Sequence, residues 1–424
     1  MKGADTMKKI ISLILIITLF AILPGCGKKE PQEVSTTGLT GEIKYLTQRT
    51  DIVNTTLNDF VKKFEAKYPG TKVTLEAVKD YKKIVSTRLA AGEIADVFHN
   101  TGQIKAEDFP KFYEPLDDLG FNGKIRFQED YSEGGKLYAL PASANVTGLV
   151  YNKATWKKAG IEKTPQTLDE LFEVCEKLKA AGVVPTSPLA KEQWPADMWS
   201  YKSAPLFSGD GDYYSDMVSK KRPFVSEAPI VGGVNILKAL QDKGYFEKDL
   251  MSTTWDDFKK GLATGRFGFI LMENWLIPQI IENGANPEDV GFCALPINNS
   301  GNVTTLSRPD IQVVINKDSK NMALAKEFVK FMMTDGYEDW LKMGGTFPTV
   351  DGVDMNFNPQ LDEFLKSGIE IVWGKNESDD FKTMINKAQI KWPEFTLNCI
   401  AGDINTALEK YNDAWEKAKA ELGL

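Results

Sequence analysis

The chain has 424 residues, more than one simple hydrophobic core organises, and this length predicts two lobes. Hydrophobic residues make up 42% and charged residues 26% of the sequence, as in an ordinary globular protein. The formal net charge is -8, and the sequence contains no dense run of Lys and Arg. A nucleic-acid partner is therefore not expected, because such partners need a basic surface.

The N-terminus, residues 1–25, has the pattern of a signal peptide. Lys8 and Lys9 precede an apolar run at residues 10–23, which is too short for a comfortable membrane span. Met1 and Met7 are alternative starts. The run ends in Leu-Pro-Gly-Cys, which resembles the lipobox of bacterial lipoproteins, so Cys26 is the predicted lipidation site and residues 26–40 a polar tether. An ordinary cleavable signal with an incidental cysteine is the alternative.

Three further cysteines, Cys175, Cys293 and Cys399, are scattered along the chain without a Cys-x-x-Cys motif. An odd number with irregular spacing does not form a disulfide framework. We expect all three to be small buried hydrophobic side chains.

The first part of the mature chain alternates strand and helix patterns. Strands are predicted at residues 42–48, 72–78 and 95–100, with a helix between each pair. In the first helix Leu57, Phe60, Val61 and Phe64 fall on one face. A β-α-β-α-β order predicts a parallel sheet with right-handed crossovers, whose ligands bind at the carboxyl ends of the strands.

A second strand and helix series follows from residue 135. Thr167, with Glu170 three residues later, predicts a helix that begins with a capping box. Residues 185–210 form a loop rich in Trp, Pro and Ser. Strand patterns are found at 265–273, 289–298 and 311–316, and the C-terminal third reads as helical.

Motifs for cofactor or metal chemistry are missing from the sequence. His99 is the single histidine, which leaves little for a catalytic triad, and a zinc site has no cluster of Cys and His. No nucleotide-binding glycine motif and no calcium loop is found. We therefore expect a binding protein without cofactor or metal. A glycosidase with two carboxylates stays open, because that pairing depends on three-dimensional distance.

Several ordered stretches resemble the extracytoplasmic solute-binding proteins of ABC importers, in the sugar-binding class that includes maltose-binding proteins. They are Tyr-Pro-Gly before a strand at 68–70, Gly-Lys-x-Tyr-x-Leu-Pro at 135–141, Tyr-Asn-Lys at 151–153, Pro-x-Thr-x-Asp-Glu-Leu at 165–171, the stretch 265–275 ending in Trp, Leu-Pro at 295–296, Ser-Lys-Asn at 319–321 and 344–353. At 95–96 the chain has Ala-Asp where the family usually has Pro-Asp. Each motif is weak alone, and their order covers nearly the whole mature chain.

The resemblance implies an α/β, two-lobe periplasmic-binding-protein-like fold of the class II type, hinged by crossover strands near 148–153, 297–309 and 346–353. Lobe 1 would comprise 41–150 with 300–350, and lobe 2 would comprise 151–299 with 351–424. The implied partners are a carbohydrate ligand and ABC-importer permease subunits. The implied state is a monomer, outside the cytoplasm and anchored by lipid to the bacterial cell membrane.

Aromatic side chains are candidates for stacking on a sugar ring. Trp275 follows a strand end where the family often places a stacking tryptophan. Trp194 and Trp199 lie in a polar, proline-containing loop that does not readily bury them both. Trp373 precedes Gly374. Core packing under a helix is the alternative for Trp275, and packing at a helix end is the alternative for Trp373.

Polar candidates for binding sugar hydroxyls follow strand ends or lie beside a hinge. They are Gln48, Arg49, His99, Asn100, Asn145, Glu273, Asn274 and Asp310. Arginine suits bidentate hydrogen bonds, and an ion pair with Asp51 is the alternative for Arg49. Helix capping is the alternative for Glu273 and Asn274, a structural histidine for His99 and a turn for Asp310.

These features predict a receptor for a sugar, most simply an oligosaccharide. A non-sugar solute such as a polyamine, held by Asp51, Glu273 and Asp310, is the main alternative. A surface glycosidase and an adhesin or signalling receptor on the same fold are the others.

Overall fold

A computed structural model describes residues 38–353 and 358–424. The predicted signal peptide, Cys26 and residues 26–37 of the tether lie outside the described residues. The strands are β1 Gly41–Thr47, β2 Thr71–Ala77, β3 Val97–His99, β4 Ser132–Glu133, β5 Lys136–Leu137, β6 Leu140–Pro141, β7 Ala144–Asn152, β8 Phe269–Glu273, β9 Val290–Cys293, β10 Thr304–Pro309, β11 Gln312–Ile315 and β12 Glu370–Trp373.

Helices form much of the rest of the described chain. They are α1 Thr56–Lys67, α2 Tyr81–Ala91, α3 Phe109–Phe112, α4 Lys153–Lys158, α5 Leu168–Ala180, α6 Ala204–Ser208, α7 Tyr213–Ser219, α8 Pro229–Asp242, α9 Trp255–Thr264, α10 Leu276–Glu282, α11 Met322–Met333, α12 Tyr337–Gly344, α13 Pro359–Lys366, α14 Asp379–Ala388, α15 Trp392–Ala401 and α16 Ile404–Leu422. Short 3₁₀ turns lie at Ala106–Asp108, Asp117–Leu119, Gln128–Tyr131, Trp194–Trp199 and Pro287–Asp289.

The first sheet has the strand order β2-β1-β3-β11-β6. β1 is parallel to both β2 and β3, which confirms the predicted parallel arrangement of the first three strands. β11 joins from much later in the chain and runs antiparallel to β3 and β6. Helix α1 buries Leu57, Phe60, Val61 and Phe64, the face that the sequence periodicity predicts.

The second sheet is organised around β7, whose nine residues are all buried. β7 pairs antiparallel with β8, β9 and β10, and β10 pairs in parallel with β12. The strand β12 was not predicted, because a helical C-terminal third was expected. It is only four residues long and half exposed, so it carries no clear apolar pattern.

The start of α5 confirms the predicted cap. The backbone N–H of Glu170 donates to Thr167 Oγ1 at 3.2 Å. The Glu170 carboxylate turns back to accept from the backbone N–H of Gln166, one residue earlier than a standard capping box has it, at 2.6 Å. This cap fixes where the helix begins.

Two hydrophobic cores divide the described residues. One contains residues between Ile43 and Ala142 with others between Ile311 and Leu341, and the second contains residues from Ala144 to Leu295 and from Phe347 onward. The chain thus passes between the cores three times. Residues 144–150 pack with the second core, although the predicted lobe 1 includes them, because β7 is paired with β8 and β9. The lobe boundaries themselves stay a prediction.

The remaining cysteines are as expected. Cys175, Cys293 and Cys399 are buried and carry free thiols. Burial also raises the pKa of each thiol, which keeps the sulfur protonated and unreactive. In residues 38–353 and 358–424, none of the helices combines the length and apolarity that crossing a membrane requires.

Candidate functional site

The ends of three strands of the second sheet bring polar side chains together. Asn145 of β7 lies opposite Arg308 of β10, and Glu273 ends β8 opposite Thr147, two residues further along β7. Asn145 Nδ2 donates to Glu273 Oε2 at 3.2 Å. Asn145 is 6% exposed and Glu273 is 9% exposed. Two predicted polar residues from distant parts of the sequence therefore share one buried position.

A pocket next to this position is lined by the first core and by segments that join the two cores. From the first core it receives Thr47 and Arg49, which end and follow β1, and Trp340 of α12. Ser143 and Asp310, from segments that join the cores, complete its polar lining. The predicted residues Arg49 and Asp310 thus lie in the same pocket. The carboxyl end of the parallel strand β1 thus lies at this pocket, which is where ligands of such sheets bind.

Buried polar atoms without a partner mark this region. Within the described residues, Ser143 Oγ, Asn145 Oδ1, Asp197 Oδ1 and Thr346 Oγ1 lack a hydrogen-bond partner. Leaving such an atom unsatisfied costs about 1–3 kcal/mol. Ser143 and Thr346 line the pocket, so their hydroxyl groups can donate to or accept from a polar ligand there.

Three tryptophans form a half-buried aromatic cluster beside the carboxylate of Glu273. The ring centroids of Trp194 and Trp255 are 4.9 Å apart. The ring centroid of Trp275 lies 6.1 Å from that of Trp194 and 6.0 Å from that of Trp255. Trp275 Nε1 donates to Glu273 Oε2 at 2.8 Å, which ties the cluster to Asn145. Trp255 was not among the predicted residues. Trp255 begins an amphipathic helix, α9, and a large aromatic side chain at the first turn of such a helix was the sequence signal that could have identified it.

Two acidic residues of the site, Asp310 and Asp197, have raised pKa values. Burial raises the pKa of Asp310 to about 6, and nearby Glu273 adds to this rise against the opposing effect of Arg49. Burial likewise raises the pKa of Asp197 to about 6, opposed by Lys202. Burial disfavours the charged form of a carboxyl group, so both aspartates hold charge at some energetic cost.

Arg49 has both of the arrangements considered for it. Its Nη2 atom lies 2.8 Å from Asp51 Oδ2, and its Nε donates to the same carboxylate at 2.9 Å. This ion pair opposes the effect of burial and lowers the pKa of Asp51. Arg49 also lines the pocket. Gln48, its neighbour, is exposed, and its role stays a prediction.

His99 lies in the first core. It is 3% exposed, and its Nε2 is 2.5 Å from the hydroxyl of Tyr45. Burial, reinforced by Arg49, lowers the pKa of His99 to about 3, so the imidazole is neutral. This environment favours the structural alternative. Asn100 accepts from the Tyr113 hydroxyl at 3.2 Å and lines a larger cleft.

Asn274 joins three segments of backbone. Its Oδ1 accepts from the backbone N–H of Val146 at 2.5 Å, and its Nδ2 donates to the carbonyl of Gly345 at 2.6 Å. The capping alternative is wrong for Asn274 and Glu273, because α10 has Trp275 at its N-cap without a side-chain hydrogen bond. With both amide atoms used, the fully buried Asn274 has a structural role here.

The two other predicted tryptophans lie apart from the three-tryptophan cluster. Trp199 is 2% exposed and packs in the second core. Trp373 is 37% exposed, and the Arg126 guanidinium lies 4.5 Å from its ring centroid. With Phe127 it lines a separate cavity of about 510 Å³. A ligand role for either residue stays a prediction.

A larger cleft of about 640 Å³ lies between segments of the two cores. Asn100 and Gln312 line one side, and Tyr201, Glu377 and Trp392 line the other. The Tyr201 and Trp392 rings stack with centroids 5.3 Å apart. The last three residues were not predicted, because they come from separate helices and loops that only the fold brings together.

Arg308 is another residue that the sequence did not reveal. It forms an ion pair with Glu377, and both side chains are about 15% exposed or less. The Tyr201 hydroxyl donates to Glu377 Oε1 at 2.5 Å, and the Arg308 guanidinium lies 5.5 Å from the Tyr201 ring centroid. These contacts link the pocket at Asp310 to the larger cleft.

Comparison with known proteins gives consistent relatives. The chain is 27% identical over 395 residues to a multiple sugar-binding protein of Streptococcus mutans, covering 88% of this chain and 92% of that protein. It is 26% identical over 318 residues to a diacetylchitobiose binding protein of Streptomyces coelicolor, covering 70% and 71%.

A solved structure has the same fold. It is a manno-oligosaccharide specific solute binding protein of Bifidobacterium animalis subsp. lactis, in complex with mannotriose, with a TM-score of 0.78 at 22% identity. The match covers 91% of this chain and 96% of that one, and confirms the two-lobe α/β fold. The family of bacterial extracellular solute-binding proteins matches residues 50–339, more than half of the chain. The chain belongs to this family of binding proteins, as its ordered motifs predict.

Proposed function

We propose that this protein binds an oligosaccharide between its two lobes and delivers it to the permease of an ABC importer. The observation that carries the proposal is the pairing of an aromatic surface with unsatisfied polar atoms. The Trp194, Trp255 and Trp275 rings offer apolar faces for the C–H surfaces of sugar rings. Asn145 Oδ1 and Ser143 Oγ offer hydrogen bonds to hydroxyls. The sugar-binding relatives support this ligand class.

Binding is proposed to close the lobes about the segments that pass between the cores. Arg49 and Trp340 would then contact the ligand from the first lobe, and Glu273 and Trp275 from the second. A permease distinguishes a loaded from an empty receptor only if the ligand favours one conformation. Lobes comprising 41–150 with 300–350 and 151–299 with 351–424 remain part of this proposal.

Calorimetric titration with mono- and oligosaccharides tests the ligand class, with tryptophan fluorescence as a second signal. We expect heat and a fluorescence change with at least one oligosaccharide. A response only to polyamines, amino acids or ions would reject the proposal. Release of product from oligosaccharides by the purified protein would instead support a glycosidase, and sugar uptake that persists after gene deletion would support an adhesin or signalling role.

We also propose export by the N-terminal signal and lipid attachment at Cys26, with the mature monomer held outside the cytoplasm at the cell membrane. The charged and apolar segments before Leu-Pro-Gly-Cys support this. Labelling with a radioactive fatty acid tests the attachment. The label should be absent from Cys26→Ser, and a labelled variant would disprove this site.

A further inference from the structure

Two residues with positive φ, neither of them glycine, precede Trp194. Leu189 has a φ of 51° and Gln193 a φ of 61°, a region that residues other than glycine adopt only uncommonly. At Gln193 ψ is -54°, and the backbone N–H of Trp194 donates to the carbonyl of Glu192 at 2.8 Å. These values define the rarer of the two forms of γ-turn, in which the backbone is strained.

Neighbouring hydrogen bonds hold this turn in place. The Leu189 carbonyl accepts from the backbone N–H groups of Glu192 and Gln193, each at 3.0 Å. Leu189 is fully buried, and its own N–H donates to Ser187 Oγ at 3.0 Å. The Gln193 side chain is exposed, so it contributes little packing that would offset the strain. Strain that the surroundings maintain in this way is typical of functional sites.

Glu192 is hydrogen-bonded to two of the three clustered tryptophans. Its carbonyl accepts from the Trp194 N–H within the turn, and its Oε1 accepts from the backbone N–H of Trp255 at 3.0 Å. Trp255 is the first residue of α9, where the helix dipole also favours a carboxylate. One residue therefore joins the two backbone segments that carry rings meeting at an interplanar angle of 68°.

Capping of α9 does not account for this contact. The helix has its own N-cap, Thr254, whose Oγ1 accepts from the backbone N–H of Asp257 at 3.2 Å. The Glu192 carboxylate acts one residue later, at Trp255 itself. Its contact thus fixes the residue that carries the ring, in a helix whose start is already defined.

The three-tryptophan cluster packs against the second core. Trp194, Trp255 and Trp275 are all partly buried there, so their arrangement belongs to one lobe. Glu273 accepts from the Trp275 indole N–H, and Glu192 accepts from the Trp255 backbone. An aromatic surface held in this way is formed before a ligand arrives, which reduces the entropy lost on binding.

We propose that Glu192 is a positioning residue of the sugar site, which sets the angle between the Trp194 and Trp255 rings through its carbonyl and its carboxylate. The strained turn at Gln193 is part of the same arrangement, because it forms the bond between the Trp194 N–H and the Glu192 carbonyl. This inference rests on the proposed sugar-binding function and adds a residue to its site that touches no sugar itself.

Calorimetry with gluco-, manno- and N-acetylglucosamine trimers tests the role of the carboxylate. Glu192→Ala removes the acceptor for Trp255, and we expect it to weaken binding of the preferred trimer by roughly tenfold. Glu192→Gln keeps an oxygen acceptor and should recover most of the affinity. The exposed Glu162→Ala is the matched control and should bind like the unsubstituted protein.

These titrations separate the inference from the function on which it rests. Full affinity in Glu192→Ala, or no recovery in Glu192→Gln, would overturn the inference and leave the proposed function intact. Silence of the unsubstituted protein toward every trimer would reject both.

Circular dichroism of the free protein gives a readout of ring orientation that requires no ligand. Neighbouring indole rings couple, and the coupled signal depends on the angle between them. We expect this signal to change in Glu192→Ala and to return in Glu192→Gln, with thermal unfolding as the folding control. Weaker binding by Glu192→Ala without any change in the signal would contradict a positioning role.

Two substitutions of Gln193 separate the turn from the exposed side chain. Glycine adopts positive φ readily, whereas for the β-branched valine this region is a genuine outlier. Gln193→Val should therefore bind the preferred trimer at least roughly tenfold more weakly than Gln193→Gly. Equal affinities of the two variants would contradict the role of the turn.

Discussion

The indole N–H of Trp275 donates to Glu273 Oε2 at 2.8 Å, and Asn145 Nδ2 donates to the same oxygen at 3.2 Å. One carboxylate oxygen therefore orients both a ring face and an amide. Glu273 is 9% exposed, so these two hydrogen bonds are made in a buried part of the site. They fix the orientation of the Trp275 indole relative to Asn145.

Trp275→Ala is expected to weaken oligosaccharide binding by roughly 30-fold or more, because a buried aromatic contact is lost. Trp275→Phe keeps a ring but loses the N–H donor, so its loss of affinity should be smaller. Calorimetry measures both, with thermal unfolding as the folding control. A folded Trp275→Ala protein with undiminished affinity would return this tryptophan to a purely structural role.

Asn274→Ala should destabilise the protein by about 2–5 kcal/mol, because it leaves the Val146 N–H and the Gly345 carbonyl without partners. Urea unfolding measures the free energy of unfolding. The exposed Asn302→Ala is the matched control and should change it by less than about 0.5 kcal/mol. Equal effects of the two substitutions would show that the Asn274 contacts contribute little.

His99 should make stability depend on pH. Its pKa is about 3 in the folded protein and about 6.5 in the unfolded chain, so below pH 6.5 the unfolded chain binds a proton that the folded protein excludes. Stability is lost as pH falls through this window. Between pH 7 and pH 5 the loss is about 2 kcal/mol. The contribution of His99 to this loss of stability is measured by comparison with His99→Gln, which does not titrate but keeps a hydrogen-bond acceptor for Tyr45. A constant difference between the two proteins at both pH values would disprove it.

The Arg308–Glu377 pair gives a different kind of stability effect. Removing one partner, in Arg308→Met or Glu377→Gln, leaves a buried charge or its hydrogen bonds unmatched. Each single variant should lose about 3–5 kcal/mol, and the double variant should lose less than the sum. Urea unfolding gives the free energy of unfolding of the unsubstituted protein, the two single variants and the double variant, which together form a double-mutant cycle. Additive losses would mean that the two side chains act independently.

Much of the architecture follows from local pattern. The spacing of Leu57, Phe60 and Phe64 defines α1, and the pair Thr167 and Glu170 defines the start of α5. Such features depend on neighbours within a turn or two, where the periodicity of side chains decides which face is buried. Local pattern alone does not give the two-lobe fold, which was predicted from the order of the family motifs.

Some residues of the candidate site were predicted from the sequence, and one predicted residue, His99, lies in the core instead. A strand end pointed to Glu273, a hinge position to Asn145 and the place before a strand to Asp310, and the structure brings these three together. Strand ends also pointed to His99, which the core buries beside Tyr45. The difference lies in the direction of each side chain and in what packs over it, and neither is encoded in the position of a strand end.

The sequence by itself determined the order of most strands and helices, the burial of Cys175, Cys293 and Cys399, and the family. The tertiary structure alone decided which residues meet. Trp194, Trp255 and Trp275 come from three segments and form one cluster. Arg308 pairs with Glu377, which lies 69 residues later in the sequence. Local periodicity fixes which face of an element is apolar. Contacts between distant segments depend on strand register and on the three passages of the chain between its cores.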